Sequence, residues 1–476
     1  MCACRSRASS STPPLFCRFT LPIFCASTRS WRISGPPVPI SAGSPCRFQR
    51  ATRSKNSSRP RVFSPMPSST SSDSMRITYI SQARFPTEKA HGHQIAQVCA
   101  AMTRLGHSVT VVAPDVHGTV RKDPRSYYGL QQTFDVTRLP VFDALNARWI
   151  PGPLAFFFTM RSYERALRIF LRSHPADLLY TRSPRLAPSL LATGMPVILE
   201  LHTLPLRTAA FVRTCRQCRL VVCLTTPMRD ALIAWGIDPE QVVTEGDGVD
   251  PQRFAHLLSS ADARREWQLP PDRRIAVYVG SLVTRGTIEK GVRELLEAVA
   301  ILKGGEGSKE GKVGQVGKVG KEGEGIFCWV IGGPRDQVER YRTIARQLGL
   351  SDENVRFEGP VPNARVPSIL AAADVCVYPA PASLHPFFLR DTSPLKVFEY
   401  LAAGKPTVCA DLPPLRGVID PSLVHFFPAG DAPALAAAIE EACSHPRINE
   451  EKRRTLIAHV AWDARMERIL QSSRLV

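Results

Sequence analysis

The sequence predicts an α/β protein built from two doubly wound, Rossmann-like parallel sheets. Three observations lead there. Short apolar runs alternate with helical patterns from Met75 onward; the runs are apolar on both faces, as strands covered by helices on either side must be; and the series starts afresh near residue 274. The first series opens with "MRITYIS" (75–81) and a helix near residues 91–105. It continues with "HSVTVVAP" (107–114), "PVILELH" (196–202), "RLVVCLT" (219–225) and "QVVTEG" (241–246). The second runs through "RIAVYVGS" (274–281), "IFCWVIGG" (326–333), "NVRFEG" (354–359), "DVCVYPA" (374–380) and "PTVCAD" (406–411). At 476 residues and 44% hydrophobic content the chain is long enough for two such domains, each with its own core. The expected spans are 75–265 and 266–449, joined near residues 250–270.

Two segments stand outside this pattern. Residues 1–74 are rich in Ser, Pro and Arg, hold Asp73 as their only acid and show no periodicity, so no core is expected there. Their composition fits an organelle transit peptide; equally, Met75 opens a strand directly, which fits an over-extended start. Arg18 interrupts the only apolar stretch near the start and argues against a secretory signal. The second segment, "GGEGSKEGKVGQVGKVGKEGEG" (304–325), has nine Gly, four Lys and four Glu and reads as a flexible surface insertion. Its "GEGSKEG" follows no strand, so the dinucleotide fingerprint and the oxidoreductase it would imply are set aside.

Charge and cysteine usage narrow the function classes. Of the formal +19, residues 1–74 supply +10, leaving a mildly basic +9 that suits phosphates or an anionic membrane surface. No nucleic-acid-reading motif occurs, and no stretch approaches the roughly eighteen apolar residues of a membrane span. The eight cysteines beyond the leader lie mostly in strand-like runs, a reduced and buried usage that points to the cytoplasm. Cys215 and Cys218 have metal or redox spacing but no second pair and no nearby His, so they read as structural.

In open parallel sheets ligands bind beyond the carboxyl ends of the strands. Four places qualify. In "RFPTEKAHGHQ" (84–94), Gly92 permits close backbone approach while Lys89, His91 and His93 could meet an anion; a plain strand-to-helix loop explains the stretch as well. In "ELHTLP" (200–205), Glu200 and His202 end a strand, and such a His can donate to a hydroxyl, steady developing charge, or be merely structural. In "YVGSLVTRGTIEKGVRELLEA" (278–298), Gly280, Arg285, Gly286, Lys290 and Gly291 set cations beside small residues, which suits a diphosphate, although solvated surface cations are the plain alternative.

The fourth place is "DTSPLKVFEYLAAGKP" (391–406). Thr392 or Ser393 can cap a helix, Pro394 suits its first position, and Gly404 with Pro406 stops it, so a helix is expected over about 394–403. Its N-terminus favours an anion such as phosphate. Asp391 and Glu399 stand eight apart around that start.

Taken together these stretches resemble the retaining GT-B glycosyltransferases of family 4, the glycosyl transferases group 1. The resemblance runs from about Met75 to the C-terminus and is strongest in "SPLKVFEYLAAGKPTVCADLPPLRGVI", with "LGHSVTVVAP", "ELHTLP", "EGDGVDPQRF", "YVGS", "VIGGP" and "DVCVYP" in support. It implies two domains facing a central cleft, with a last helix, 450–476, crossing back onto the first. The family's E-x7-E acidic pair maps onto Asp391 and Glu399, with Asp where the family has Glu. The resemblance then implies that Glu399 holds the donor's ribose hydroxyls, that Asp391 lies by the donor sugar, and that Ser393, Pro394, Leu395 and Lys396 surround the diphosphate. It implies further that Arg285 or Lys290 neutralises that diphosphate on the loop after Gly280, that His202 lies near the reacting carbon, and that Gly92 belongs to the loop closing over the donor phosphates.

The activity implied is transfer of a sugar from a nucleotide-sugar donor to a glycan or lipid-linked acceptor, as in envelope or polysaccharide assembly, with retention and with no cofactor. No Asp-x-Asp occurs, in keeping with a metal-independent reaction. A sugar-nucleotide epimerase on the same fold and a non-catalytic nucleotide- or glycan-binding relic are the competing readings. Finally, in "PLAFFFTMRSYERALRIFLRS" (153–173), Arg161, Arg165, Arg168 and Arg172 form one basic helical face and Tyr163, Leu167 and Phe170 another. That pattern suits peripheral contact with an anionic membrane or, alternatively, a surface helix packed on the first sheet.

Overall fold

The first series of strands forms a seven-stranded, all-parallel sheet in a computed structural model describing residues 74–147, 149–284, 286–304 and 325–475. Its strands are β1 (Arg76–Ile80), β2 (Ser108–Asp115), β3 (Asp135–Pro140), β4 (Leu178–Thr181), β5 (Val197–Leu201), β6 (Leu220–Cys223) and β7 (Val242–Thr244), in the order β3-β2-β1-β4-β5-β6-β7. The second series forms a six-stranded parallel sheet of β8 (Arg274–Val279), β11 (Ile326–Ile331), β12 (Val355–Glu358), β13 (Val375–Tyr378), β14 (Thr407–Asp411) and β15 (His425–Pro428). Its order is β12-β11-β8-β13-β14-β15, and a hairpin of β9 (Val283–Thr284) and β10 (Ile288–Glu289) projects after β8. That hairpin is why the "YVGSLVTRGTIEKG" loop is long. Central strands such as β4, β5, β6 and β8 carry apolar side chains on both faces because helices cover both.

Each sheet reverses its direction of winding beside its first strand, between β1 and β4 and between β8 and β13. At those switch points the outgoing loops diverge and leave a crevice at the strand ends. All described residues belong to one compact unit. Residues 1–73, Arg148, Arg285, 305–324 and Val476 lie outside the described residues, and with them the expected leader up to residue 73 and the expected insertion apart from Gly304 and Gly325.

The chain passes between the two lobes at two adjacent places. Val249 and Ala461 form an isolated parallel bridge, with the Trp462 N–H donating to the Val249 carbonyl at 3.1 Å and the Val249 N–H to that of Val460 at 3.0 Å. This moves both expected boundaries. Val249, Phe254 and Ala263 pack in the core of the second sheet, so the second lobe begins before residue 266. The expected crossing helix 450–476 is two helices. Glu450–His459 packs with the second lobe through Ile457, whereas Trp462–Leu475 buries Trp462, Met466, Ile469 and Leu470 against the first sheet. Arg104 to Asp463 and Arg468 to Glu245, the latter at 2.7 Å, fasten that last helix further. No helix among the described residues is long and apolar enough to cross a membrane.

Candidate functional site

Glu200 lies at the end of β5, fully buried. Such a charge is tolerated only with partners, and it has four. Its Oε1 accepts from Arg465 Nη2 at 3.0 Å and Gln94 Nε2 at 2.9 Å and lies 2.7 Å from His202 Nε2, while Oε2 accepts from the Tyr180 hydroxyl. Arg465 comes from the last helix, is itself buried, and also donates to the carbonyls of Gly246 and Glu245. Burial pushes the Glu200 carboxyl up, but Arg465, the His202 hydrogen bond and Arg182 outweigh it and hold the group well below the usual carboxylate range. Burial, then Arg182, pushes His202 down, with Glu200 partly offsetting them.

Those directions fix the proton. An ionised Glu200 only accepts, so His202 Nε2 carries the hydrogen and Nδ1 of the neutral ring is the acceptor. His202 in this state accepts from a hydroxyl; donation to one, expected from sequence, requires the imidazolium. Asp247 completes the corner, and Glu200, His202 and Asp247 each place a potential ligand atom within 4.8 Å of the others. A cation there would compete with Arg465, which already compensates Glu200.

A cavity of about 690 Å³ opens at the β1/β4 switch point. Arg84, Lys89, His91 and Arg182 line it, against the single carboxylate of Asp143. Arg84 is paired with Glu88 at 2.6 Å. Arg182 Nη1 donates to Gln94 Oε1 at 2.7 Å, and Gln94 in turn donates to Glu200, so one hydrogen-bonded chain joins the cavity to His202. Burial, then Arg182, pushes His91 down to about 4, so its ring is neutral at pH 7. His91 Nε2 and Asp143 Oδ1 are buried without a hydrogen-bond partner among the described residues, an unmet polar demand that a ligand hydroxyl would satisfy.

His93 does not line the cavity; its ring stands edge-on to Tyr128. Gly92 sits in the first turn of the Ala90–Arg104 helix, where a Cβ would come 2.4 Å from the Tyr128 hydroxyl and 2.6 Å from Thr87 Cγ2. The chain's own packing therefore requires glycine there, a local reason that sequence reading did not supply.

In the second lobe the expected helix is shorter, Leu395–Ala402, with Pro394 at the capping position and no side-chain cap. The two candidate caps have tertiary partners instead. The Thr392 hydroxyl bonds Tyr378 Oη at 3.1 Å, and Ser393 Oγ accepts from the Asp247 N–H of the first lobe's "EGDG" loop at 3.3 Å. Leu395 packs on the first lobe's core. The uncapped first turn thus stands beside the junction of the lobes, with its N–H groups suited to an anion.

Lys396 and Glu399 lie on this helix. Glu399 pairs with Arg253 at 3.3 Å, and Arg253 also donates to the Asn363 carbonyl at 2.7 Å. Burial pushes Glu399 up, opposed by Arg253 and Lys396; burial pushes Lys396 down, opposed by Glu399. Gly280, at the end of β8, makes room for Lys396, since a Cβ there would fall 2.2 Å from its Cε and 2.6 Å from its Nζ. Sequence reading had assigned these two residues to separate stretches, and the fold joins them.

Asp391 is buried and ends a single wide π turn, Phe387–Asp391, where Arg390 Nε donates to it at 2.6 Å. That turn is anchored to the first lobe, with the Thr225 hydroxyl donating to the Arg390 carbonyl at 2.5 Å. Asp391 and Glu399 therefore have different cationic partners. Lys290 Nζ lies 3.6 Å from the centre of the Phe387 ring, which sets it beside the same turn. Arg285 lies outside the described residues.

Sequence reasoning missed Arg253, Arg465, Asp247, Arg182 and Gln94. Arg253 and Asp247 lie within "EGDGVDPQRF", where no local pattern singles out either side chain. Arg465 carried no signal, because an arginine in an amphipathic helix ordinarily reads as solvated surface.

Comparison with known proteins agrees with this architecture. A model described as Glycosyltransferase Family 4 matches residues 92–253, and one described as Glycosyl transferases group 1 matches residues 273–445. A D-inositol 3-phosphate glycosyltransferase of Thermomonospora curvata is 28% identical over 266 residues, 53% of this chain and 56% of that protein. One from Catenulispora acidiphila is 30% identical over 180 residues, 37% of this chain and 36% of that protein. The chain's matches thus span about half or less of these curated relatives' length. Among solved structures, sucrose-phosphate synthase from Thermosynechococcus elongatus superposes with a TM-score of 0.63 at 18% identity, covering 84% of this chain and 98% of that one. HepE of Anabaena in complex with UDP and glucose superposes with a TM-score of 0.58 at 14% identity, covering 84% and 100%. The architecture is the GT-B fold. With one family model on each lobe, the chain belongs to the family 4 glycosyltransferases, the glycosyl transferases of group 1.

Proposed function

We propose that the chain transfers a sugar from a nucleotide-sugar donor, bound on the second lobe, to an acceptor hydroxyl held in the first lobe's cavity, with retention at the anomeric carbon. The observation that carries this reading is the meeting of two unlike ligand-binding corners at one junction. An uncapped helix start with Lys396, Glu399 and Gly280 lies on one side, and Glu200, His202 and Asp247 on the other, tied together by the contact of Asp247 with Ser393. Glu399 takes the ribose hydroxyls, exchanging Arg253 for them, and Lys396 with the first-turn N–H groups stabilises the leaving diphosphate. The bond from the anomeric carbon to the diphosphate oxygen breaks as the bond to the acceptor oxygen forms, and the acceptor proton passes to the departing diphosphate. His202 accepts from a hydroxyl of the donor sugar at Nδ1, with Glu200 behind it. Asp391 acts from the neighbouring turn, and Lys290 and Arg285 serve the diphosphate from the loop after β8. The reading involves neither a cofactor nor a bound metal.

The cavity lining favours an anionic acceptor. Arg84, Lys89 and Arg182 outnumber Asp143 there, and the curated relatives are named for an inositol phosphate substrate. A phosphorylated polyol or a lipid-linked phosphate, as in envelope or polysaccharide assembly, has the matching charge. Eight free thiols among the described residues accord with a reducing, cytoplasmic setting.

A melting and calorimetric screen of the full chain against UDP-, GDP-, ADP- and CMP-sugars tests the donor half, because a ligand of the native state raises Tm by mass action. One class should stabilise wild type and leave Glu399→Ala unmoved; stabilisation of both alike would remove the ribose role. Product analysis with donor alone separates transfer from epimerisation, which would give a new hexose.

A further inference from the structure

Among the described residues, exposed large apolar side chains concentrate on the long helix Gly152–Ser173 and the segment before it. Phe142, Leu145, Trp149, Leu154, Phe157 and Phe158 are six of the thirteen large apolar residues left exposed among the described residues, and they fall within seventeen consecutive positions. Trp149 is 83% exposed and Phe142 60%. The two stretches are held together. The Phe142 N–H donates to Ser162 Oγ at 2.8 Å and the Ala144 N–H to Thr159 Oγ1 at 3.1 Å, so residues 142–149 run alongside the start of the helix.

The apolar face suggested by sequence is not the exposed one. Tyr163 and Leu167 are buried in the first lobe's core, and Phe170 is partly buried against it. At about 100° per residue, Leu154, Phe157, Phe158, Arg161, Arg165, Arg168, Ile169 and Arg172 instead share one arc of about 120°. All eight are exposed. The segregation runs along this face, with aromatic side chains at the N-terminal end and four arginines towards the C-terminal end. The apolar end adjoins the cavity, since Leu145 and Phe156 line both it and this segment.

We infer that this face docks on an anionic lipid bilayer, with Trp149, Phe157 and Phe158 entering the headgroup boundary and Arg161, Arg165, Arg168 and Arg172 meeting lipid phosphates. Charge complementarity selects the occupant. A row of four arginines beside exposed aromatics matches an anionic interface, where tryptophan is favoured and each cation adds attraction. Exposed apolar side chains clustered in this way mark an interaction surface, and the four arginines beside them select an anionic one. Docked this way, the cavity mouth opens at the membrane surface, and the acceptor's phosphate seats among Arg84, Lys89 and Arg182 while its lipid tail stays in the bilayer. The lipid-linked acceptor rests on the function proposed above; the docking itself does not.

Flotation of the full chain with phosphatidylcholine vesicles, with and without about one third phosphatidylglycerol, tests the docking without any turnover. Wild type should float with anionic vesicles only, with a blue shift and brominated-lipid quenching of tryptophan emission that Trp149→Phe removes, and salt should weaken the binding. Arg165→Glu, Arg168→Glu and Arg172→Glu combined should weaken partitioning by about tenfold or more. Trp149→Ser with Phe157→Ser should do the same while leaving Tm unchanged, because these side chains lie outside the core. No flotation with anionic vesicles, flotation indifferent to both sets of substitutions, or concentration-dependent self-association abolished by the serine pair would overturn the proposal. Donor-induced stabilisation in a chain that does not float would sink the docking and leave the transferase reading intact.

Discussion

Arg465→Met isolates the contact that ties the last helix to the first lobe's candidate site. The substitution keeps a long apolar stem but removes the one guanidinium that, among the described residues, pairs directly with the fully buried Glu200. Breaking a buried pair from one side costs about 3–5 kcal/mol, because the surviving charge is left uncompensated, against a total stability of roughly 5–15 kcal/mol. For the 380 described residues, an unfolding entropy of about 2 cal/mol/K per residue turns about 4 kcal/mol into a fall in Tm of about 5 °C. The pH dependence gives the sharper signature. In wild type the Glu200 pKa is depressed, so its contribution is present above the unfolded-state value and is lost as pH falls through the folded one. In Arg465→Met burial prevails and the pKa rises, so the variant's deficit is full at pH 7 and shrinks as pH falls and Glu200 protonates. Urea unfolding at pH 7 and pH 5, with Glu200→Gln and the double variant completing the cycle, measures both effects. A deficit below about 1 kcal/mol, additivity in the cycle, or a deficit independent of pH would refute the reasoning.

The remaining predictions concern the chemistry. Gly280→Ala should reproduce Lys396→Met, with kcat/KM down by about 100-fold in both, because the added Cβ takes the space of Lys396 Cε; an active Gly280→Ala enzyme with unchanged donor affinity would place Lys396 outside the donor site. Activity should fall as pH drops through the depressed pKa of His202, below 6.5, and Glu200→Gln should move that acid limb lower still by removing a group that raises the pKa; a limb that does not move would mean that Glu200 does not tune His202. Glu399→Ala should abolish the donor-induced rise in Tm and leave the apoprotein's Tm little changed, because relief of the burial penalty on the carboxylate offsets the loss of its pairing with Arg253 and Lys396. The donor-free melting curve checks the second half of that statement.

Two sheets of both-face apolar strands were readable because burial on two sides writes itself into consecutive residues: "RLVVC", "RIAVYV" and "IFCWVI" became β6, β8 and β11. The strands that were missed explain the limit. β3, "DVTRLP", is a half-exposed edge with a mixed pattern, whereas β4, "LLYT", is buried throughout but, like β15, "HFFP", spans four residues, too few for a pattern to show. In the helix after Asp391, local capping rules named Thr392 or Ser393, yet both hydroxyls found partners far away in sequence, Tyr378 and Asp247.

By itself, then, the sequence determined the fold class, the two lobes and the stretches that hold candidate chemistry, because periodicity and turn chemistry are local and survive in a linear string. Only the tertiary structure decided which residues share a site. Lys396 against Gly280, Glu399 against Arg253, and Arg465 behind Glu200 and His202 join positions 116, 146 and 265 residues apart. It also decided between the two readings of the long helix, packing Tyr163 and Leu167 inside on the first lobe and leaving Phe157 and Phe158 outside. The physical reason is the same in each case. Pairing, desolvation and exposure are set by what packs against a residue, and in a doubly wound fold that neighbour comes from another strand's loop or from the other end of the chain.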